Sequence, residues 1–314
     1  MFFYYLGGIL GGLLLIFLAI LLYCFFRVFY SKKRRPLKPD EYEIESGGEY
    51  DKHYDQMLKW QKASRELPHE EVETKSYDGL ILRGRYYEFE KGAPVEILLN
   101  GYRGTAERDM SGGIERCFAV KHNALVVNQR GCGPSDGHVI TFGIKEEKDC
   151  ISWINFALER FGKDVKLILA GISMGGATVL GVTNKPLPEN VKYVLADCPF
   201  SSAKEIICKV VKEMKLPPKL VYPFIRLSGI IFGGFDVESN SPLKAMETCN
   251  LPIILFHGEK DGFVPCEMSK QIYEKCKTKK SIYLVPTADH GLAYPEDIDG
   301  YAKALDEFCK EIHL

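Results

Sequence analysis

The chain has 314 residues, of which 46% are hydrophobic and 26% are charged, a composition typical of a globular protein with one large or two small domains. Its formal net charge is −1 at pH 7. This balance argues against a nucleic-acid binder, because such a protein usually carries a strong basic excess.

The first predicted element is a membrane-spanning helix. Residues 2–26 carry no charged side chain and are numerous enough to cross a bilayer. A cleaved signal peptide is the alternative, but no basic region precedes the apolar run, the run is too long, and no small-residue cleavage site follows it. We therefore expect an uncleaved transmembrane anchor at residues 1–30.

Basic residues follow the apolar run and none precedes it; they are Arg27, Lys32, Lys33, Arg34, Arg35 and Lys38. By the positive-inside rule, the part of the chain after the anchor faces the cytoplasm. A nuclear-localisation signal is the alternative for this cluster, but basic residues next to a membrane helix more often meet anionic headgroups.

The ten cysteines are scattered without C-x-x-C pairs or zinc-like spacing, so we expect no metal site, no redox pair and no cofactor. Free thiols in a reducing compartment are the simplest explanation and agree with the cytoplasmic orientation. Disulfides remain the alternative.

Residues 31–71 are predicted to be a polar linker followed by an amphipathic helix over 54–67. From residue 72 onwards, two strands with a turn at Asp78 and Gly79 indicate a hairpin. Short β-branched runs then alternate with longer amphipathic ones up to residue 314. This alternation predicts an α/β domain at 72–314, with a mainly parallel sheet flanked by helices.

The segment LILAGISMGGATVLG at 167–181 contains a serine between glycines, at Gly171, Ser173 and Gly175. In G-x-S-x-G the serine lies on a tight strand-to-helix turn with its hydroxyl exposed, and glycines are needed where side chains would collide. An ordinary glycine-rich turn is the alternative, so the rest of the chain must decide.

Two further residues fit a nucleophilic serine by type and order. Asp261 follows the strand LPIILFHG, and His290 follows the strand SIYLVP. Groups that follow parallel strands gather at one edge of the sheet. An imidazole activates a serine hydroxyl near neutral pH, and a carboxylate orients the imidazole. The sequence therefore predicts a triad of Ser173, Asp261 and His290.

An oxyanion hole requires two backbone N–H donors near the serine. We expect one from Met174, directly after the serine, and one from Tyr102 in the loop NGYRGTAERD after the strand VEILLN.

From residue 72 onwards the chain resembles the α/β-hydrolase superfamily, particularly bacterial membrane-anchored members related to esterases and serine aminopeptidases. The motifs that carry the resemblance are GYRG at 101–104, NQRGCGPSDG at 128–137, GISMGG at 171–176, HGEKDGFVP at 257–265 and ADHG at 288–291. The family commonly has His-Gly at the oxyanion loop, where this chain has Asn100 and Gly101. The resemblance implies a supporting role for the 128–137 loop, and it leaves Asp197 as an alternative acid to the preferred Asp261.

Residues 201–245 are longer than a simple crossover and predict a small helical cap over the site. The sequence favours a serine hydrolase that cleaves a small-molecule or lipid acyl ester through an acyl-serine intermediate. A serine aminopeptidase is the alternative, for which cap acids would bind a free amine; the candidates are Glu205, Glu213, Asp236 and Glu238. A non-catalytic membrane scaffold is disfavoured because every triad position is filled.

Overall fold

The computed structural model describes residues 1–33 and 35–313, so Arg34 of the basic cluster lies outside the described residues. Eight strands form one sheet: β1 (Glu70–Lys75), β2 (Ile81–Tyr87), β3 (Val95–Leu99), β4 (Asn123–Val127), β5 (Leu167–Ile172), β6 (Val191–Asp197), β7 (Ile253–Gly258) and β8 (Lys280–Val285). Their order across the sheet is β1-β2-β4-β3-β5-β6-β7-β8.

The sheet is mainly parallel, as the alternating pattern predicts. Strands β3 to β8 pair in parallel, whereas β1 and β2 form an antiparallel hairpin and β2 pairs antiparallel with β4. The predicted hairpin is thus confirmed. Its turn contains Gly79, whose φ of +92° is one that a residue with a side chain adopts only at a cost.

Eleven α-helices occur among the described residues: α1 (Phe2–Val28), α2 (Tyr54–Glu66), α3 (Ala106–Ala119), α4 (Glu146–Phe161), α5 (Met174–Gly181), α6 (Ala203–Glu213), α7 (Pro218–Ser228), α8 (Pro242–Ala245), α9 (Glu267–Lys275), α10 (Ala293–Glu296) and α11 (Ile298–Glu311). Helices α4, α5, α8 and α9 cover one face of the sheet. Helices α2, α3, α10 and α11 cover the other. The apolar strands are therefore buried on both sides.

Strand β3 contains a buried charged residue, Glu96. Glu96 in β3 is fully buried, and its carboxylate lies 2.5 Å from the guanidinium of Arg116 and 2.7 Å from the imidazole of His122. Burial alone would raise the pKa of Glu96, but these two partners outweigh it and lower the pKa to about 2. The carboxylate is tolerated because it is paired.

Helix α1 is the one described helix that is long and apolar enough to cross a membrane, by length and composition. Its last turns pack against the α/β body: Leu21 and Phe25 are buried, as is Phe29 just beyond its end. Phe29 belongs to a cluster contributed mainly by residues 201–245, which form α6, α7, a π-helical turn at Gly229–Gly233, and α8. The division into anchor, linker and hydrolase domain stays a prediction.

Candidate active site

Ser173 lies at the turn between β5 and α5 in a strained conformation. Its φ is +53° and its ψ is −116°, a region that side chains rarely adopt. A Cβ on Gly171 would lie 2.3 Å from the backbone of Gly175, and one on Gly175 would lie 2.1 Å from the Leu99 carbonyl oxygen. Both glycines are therefore required for the helix to approach the strands this closely.

The structure brings Ser173, His290 and Asp261 together. Ser173 Oγ lies 3.0 Å from His290 Nε2, and His290 Nδ1 lies 2.7 Å from Asp261 Oδ2. Since an ionised carboxylate only accepts hydrogen bonds, Nδ1 carries the imidazole proton and Nε2 is free to accept the serine proton. The three side chains form a continuous hydrogen-bonded chain.

Asp261 is held from several directions. Its Oδ1 accepts the backbone N–H groups of Phe263 at 2.9 Å and Val264 at 2.6 Å. Its Oδ2 also accepts from Nε2 of the buried His257 at 3.1 Å. Burial alone would raise the pKa of Asp261, but the two imidazoles outweigh it and lower the pKa to about 2. The carboxyl is thus ionised at neutral pH.

Asp197, the alternative acid, contacts Ser173 only through its backbone, whose carbonyl oxygen accepts the Ser173 N–H at 2.8 Å. Its Oδ1 is buried without a hydrogen-bond partner in the described chain. Burial raises the pKa of this carboxyl to about 6, although the nearby His257 partly opposes the rise. The carboxylate that accepts the His290 Nδ1–H is therefore that of Asp261.

The loop after β3 passes beside Ser173. A Cβ on Gly101 would lie 3.6 Å from Ser173 Cβ. The Gly101 carbonyl accepts a hydrogen bond from Asn100 Nδ2 at 2.8 Å. Because the peptide is planar and trans, fixing this carbonyl fixes the N–H of Tyr102 in the opposite direction. Outside helices and strands, the Tyr102 N–H donates no backbone hydrogen bond within residues 1–33 and 35–313. Met174 is the first residue of α5, where N–H groups have no acceptor within the helix.

Two side chains to which the sequence analysis gave no individual role hold the oxyanion loop, one of them in the 128–137 loop that was expected to support it. Asp109 Oδ2 accepts the Gly101 N–H at 2.8 Å, and Gln129 Nε2 donates to the Asn100 carbonyl at 2.5 Å. Gln129 belongs to the 128–137 loop, whose next residue, Arg130, is anchored by two bonds of 2.6 Å to Asp149. Asp109 lies on α3 and gives no local sequence signal, because only the folded chain brings it to Gly101.

A cavity of about 410 Å³ contains Ser173 and His290. One wall comes from the segment before the sheet; its members include Ile44, Glu45, Tyr50, Met57 and Gln61. No residue of 201–245 is among the described residues that line it. The Phe263 ring lies 5.1 Å from the His290 ring at the cavity edge.

The four cap acids expected to bind an amine are engaged elsewhere. Asp236 and Glu238 pair with Arg226 at 2.7 and 3.1 Å, Glu213 pairs with Lys209 at 2.7 Å, and Glu205 bonds to Ser201. The acids that do line the cavity are Glu45 and Asp109, and both pair with Arg108, at 3.1 and 2.6 Å. None of the four cap acids therefore offers an unpaired carboxylate for a substrate amine.

One group of potential metal ligands lies at the site: Cys198, Asp261 and His290 have ligand atoms within 4.8 Å of one another. The hydrogen bond between Asp261 and His290 accounts for their proximity. Burial raises the pKa of the Cys198 thiol well above its ordinary value, which disfavours the thiolate that a metal would need. All ten cysteines lie in the described residues and have free thiols.

The chain is similar to several known proteins. The chain is 24% identical to the uncharacterised protein YqkD of Bacillus subtilis over an alignment of 192 residues. The alignment spans 61% of this chain and 63% of YqkD, so less than two thirds of that relative is covered. It is 25% identical over 250 residues to the human palmitoyl-protein thioesterase ABHD10, and the alignment spans 72% of this chain and 76% of that protein. The solved structure of the Pyrococcus furiosus esterase Pf2001 matches with a TM-score of 0.66 at 20% identity, over 90% of this chain and 98% of that one.

Fold and comparisons together define an α/β-hydrolase, as the sequence motifs indicated. Residues 141–313, more than half of the chain, match the prolyl oligopeptidase family, and the chain belongs to that family. It therefore has the α/β-hydrolase fold.

Proposed function

We propose that the protein is a serine hydrolase that cleaves acyl esters, with Ser173 as nucleophile, His290 as general base and Asp261 as the orienting acid. The hydrogen-bonded chain from Ser173 Oγ through His290 to Asp261, at 3.0 and 2.7 Å, is the observation that carries this proposal. Such a chain is what a serine hydroxyl needs to become nucleophilic at neutral pH.

The reaction takes two displacement steps. His290 Nε2 removes the Ser173 proton as Oγ attacks the ester carbonyl, and the backbone N–H groups of Tyr102 and Met174 stabilise the resulting oxyanion. The tetrahedral intermediate collapses when the imidazolium gives its proton to the leaving alcohol, which leaves an acyl-serine. Water, activated by the same imidazole, then attacks the acyl carbonyl and releases the acid and free Ser173.

The cavity favours a substrate with an apolar acyl group. Ile44, Met57, Ile172 and Phe263 line it, and a volume of about 410 Å³ lies within the range of small-molecule sites. The names of two relatives, an esterase and a palmitoyl-protein thioesterase, are compatible with acyl transfer to water. Oxygen esters and thioesters share this chemistry and differ in the leaving group.

An aminopeptidase using the same three residues is the alternative, and the name of the family supports it. Against it, the cap acids have partners within the cap, and Glu45 and Asp109 in the cavity share the single cation of Arg108. A free amine would thus meet carboxylates that already have a cation partner. The non-catalytic scaffold remains the outcome if no substrate is turned over.

We also propose that α1 anchors the protein in a membrane with the hydrolase on the cytoplasmic side. The basic residues that follow the apolar run support this orientation.

The test is labelling of the full-length protein in detergent with a fluorophosphonate, which reacts with activated serines. We expect the label on Ser173, its loss in Ser173→Ala, and its retention in Ser239→Ala, which removes an exposed cap serine. Turnover of p-nitrophenyl esters of several chain lengths, a palmitoyl thioester and aminoacyl anilides then identifies the substrate class. Retained labelling in Ser173→Ala contradicts the nucleophile, and preferred anilide cleavage favours the peptidase.

A further inference from the structure

His257 is a fully buried histidine beside the proposed triad. It is the fifth residue of β7, and the turn after this strand brings Asp261 back toward it. Its Nε2 lies 3.1 Å from Asp261 Oδ2 and 2.8 Å from the carbonyl oxygen of Val264. Its Nδ1 lies 2.7 Å from the hydroxyl oxygen of Ser269 on α9. The ring thus joins the acid of the triad to a helix that carries no triad residue.

The partners of His257 determine which of its nitrogens carries a proton. An ionised carboxylate and a backbone carbonyl only accept hydrogen bonds, so Nε2 is the donor to both. The Ser269 side chain has no hydrogen-bond partner besides Nδ1 in the part of the chain that the structure describes, so its hydroxyl donates to Nδ1. His257 is therefore a neutral ring that donates from Nε2 and accepts at Nδ1.

The carboxylate of Asp261 receives four donors. Its Oδ1 accepts two backbone N–H groups, and its Oδ2 accepts from His257 Nε2 and from His290 Nδ1. Each carboxylate oxygen has about two lone-pair sites, so the acceptor capacity of Asp261 is filled. Burial acts to raise the pKa of Asp261, and the hydrogen bonds from His257 and His290 outweigh it. The two imidazoles thus share the negative charge of one oxygen.

This sharing affects how strongly Asp261 attracts the imidazolium form of His290. A hydrogen-bond donor stabilises the charge of a carboxylate, so each added donor weakens the attraction of that carboxylate for a neighbouring cation. His290 must be neutral before it can accept the Ser173 proton, and a carboxylate with one donor fewer would keep it as the imidazolium to higher pH. The second donor on Oδ2 therefore favours the neutral base.

We propose that His257 is a positioning residue of the hydrolase: its Nε2–H fixes Oδ2 of Asp261 toward His290 and limits the charge that this oxygen offers to the imidazolium. This proposal rests on the proposed triad and adds to it a residue that acts only through Asp261. A purely structural role is the alternative, because Nε2 lies closer to the Val264 carbonyl than to Asp261. The two roles differ in the pH dependence of Ser173 reactivity.

Other titratable or charged groups near the triad must stay constant in such a test. Burial raises the pKa of Asp197 to about 6, and its charge acts on both imidazoles. The others are the thiol of Cys198, the carboxylate of Asp289, the ammonium of Lys209 and the hydroxyl of Tyr50. All of them remain in the variants below. Repeating the comparison in an Asp197→Asn background removes the carboxyl that titrates in the same pH range.

The rate of fluorophosphonate labelling of Ser173, measured between pH 5 and pH 9 on the full chain in detergent, reports how the base titrates. His257→Met and His257→Gln are a matched pair, because both replace the ring by an unbranched side chain of similar length and only glutamine has an N–H donor. We expect His257→Met to move the acid limb of the profile to higher pH by about half a unit to one unit. His257→Gln should move it by less than about half as much, because its amide replaces the lost donor.

Ser269→Ala is the control for packing, because it removes the other hydrogen bond of the ring and keeps the Nε2–H. It should leave the acid limb within about 0.2 unit of the unchanged chain. An acid limb at the same pH in His257→Met and in the unchanged chain overturns the positioning role and leaves the triad. An equal shift in His257→Met and His257→Gln, or in Ser269→Ala, also overturns it, because loss of packing would then be the cause.

Absence of labelling in the unchanged chain overturns the proposed hydrolase, and the positioning role with it. Labelling with an unshifted acid limb overturns the positioning role alone, so the two failures are distinguishable. If His257→Met does not fold, nitrogen NMR spectra of the unchanged chain with labelled histidine decide. A proton on Nε2 of His257 supports the proposal, and a proton on Nδ1 instead overturns it, because the ring could not then donate to Asp261.

Discussion

The hydroxyl of Tyr102 donates a hydrogen bond of 2.7 Å to the backbone carbonyl of Val28, the last residue of α1. The last carbonyls of a helix have no partner within the helix. Arg103 supplies two further bonds, to the carbonyls of Arg27 at 3.0 Å and Tyr30 at 2.7 Å. The loop that carries one proposed oxyanion donor is therefore tied directly to the end of the apolar helix.

Tyr102→Phe removes this tie and keeps the backbone N–H. A hydrogen bond is typically worth about 1 kcal/mol, so we expect kcat for a p-nitrophenyl ester to fall about fivefold, with KM nearly unchanged. Tyr87→Phe is the matched control, because it removes a comparable 3.0 Å hydroxyl bond, to the Ser64 carbonyl, away from Ser173. Equal loss of kcat in both variants would mean that the effect is general destabilisation.

Asp261→Asn replaces the carboxylate that accepts the His290 Nδ1 proton. Ester turnover should drop by a factor on the order of 10³ to 10⁴, because an amide no longer stabilises the required tautomer and charge. Asp197→Asn should change turnover by much less. Steady-state kinetics of the two purified variants decide between the carboxyls, and the opposite ranking would assign the acid role to Asp197.

Asp197 should also make stability depend on pH. Burial raises its pKa from 3.8 to about 6, so the unfolded chain ionises this carboxyl more readily than the folded one. The contribution of this carboxyl to the free energy of unfolding is largest below about pH 4, and it is lost as the pH rises through 6. The free energy of unfolding of Asp197→Asn should therefore exceed that of the unchanged chain by on the order of 2 kcal/mol at pH 8, and by little at pH 4. Thermal unfolding in detergent at both values measures this, and an equal difference at both would refute it.

Phe29 couples the end of α1 to the cap. It is fully buried, and its ring lies 5.0 Å from that of Phe235. Phe29→Ala should lower the free energy of unfolding by about 3–5 kcal/mol through the cavity it leaves. Phe89→Ala, at an exposed position, should cost less than about 0.5 kcal/mol. Denaturant titration in detergent compares them; similar costs would show that Phe29 adds nothing to the core.

Membrane orientation is tested by reporter fusions at the C-terminus. Alkaline phosphatase is active only after export, so a cytoplasmic hydrolase should give an inactive phosphatase fusion and a bright fluorescent-protein fusion. An active phosphatase fusion would reverse the proposed orientation. The proposed roles of Ser173, Asp261 and His290 would be unaffected, because they depend on geometry within the hydrolase.

The sequence alone determined the sheet, its hairpin and the placement of Ser173, Asp261 and His290. Buried strands are recognisable because each is a short β-branched run, and the helices between them because their apolar residues recur with helical spacing. The carboxyl ends of parallel strands meet at one edge, so residues directly after strands converge even when 88 positions separate them, as with Ser173 and Asp261. Strong local patterns thus predicted a long-range arrangement.

The surroundings of these three residues depend on tertiary packing that no sequence pattern encodes. One cavity wall comes from residues 44–61, Asp109 holds the oxyanion loop, and the Tyr102 hydroxyl donates to the Val28 carbonyl. Each contact depends on the path of a loop or on the docking of one helix against another, and no local periodicity encodes such a path. Burial of apolar surface drives that docking, and it has no preferred direction, so its outcome depends on the whole packed chain rather than on any single segment.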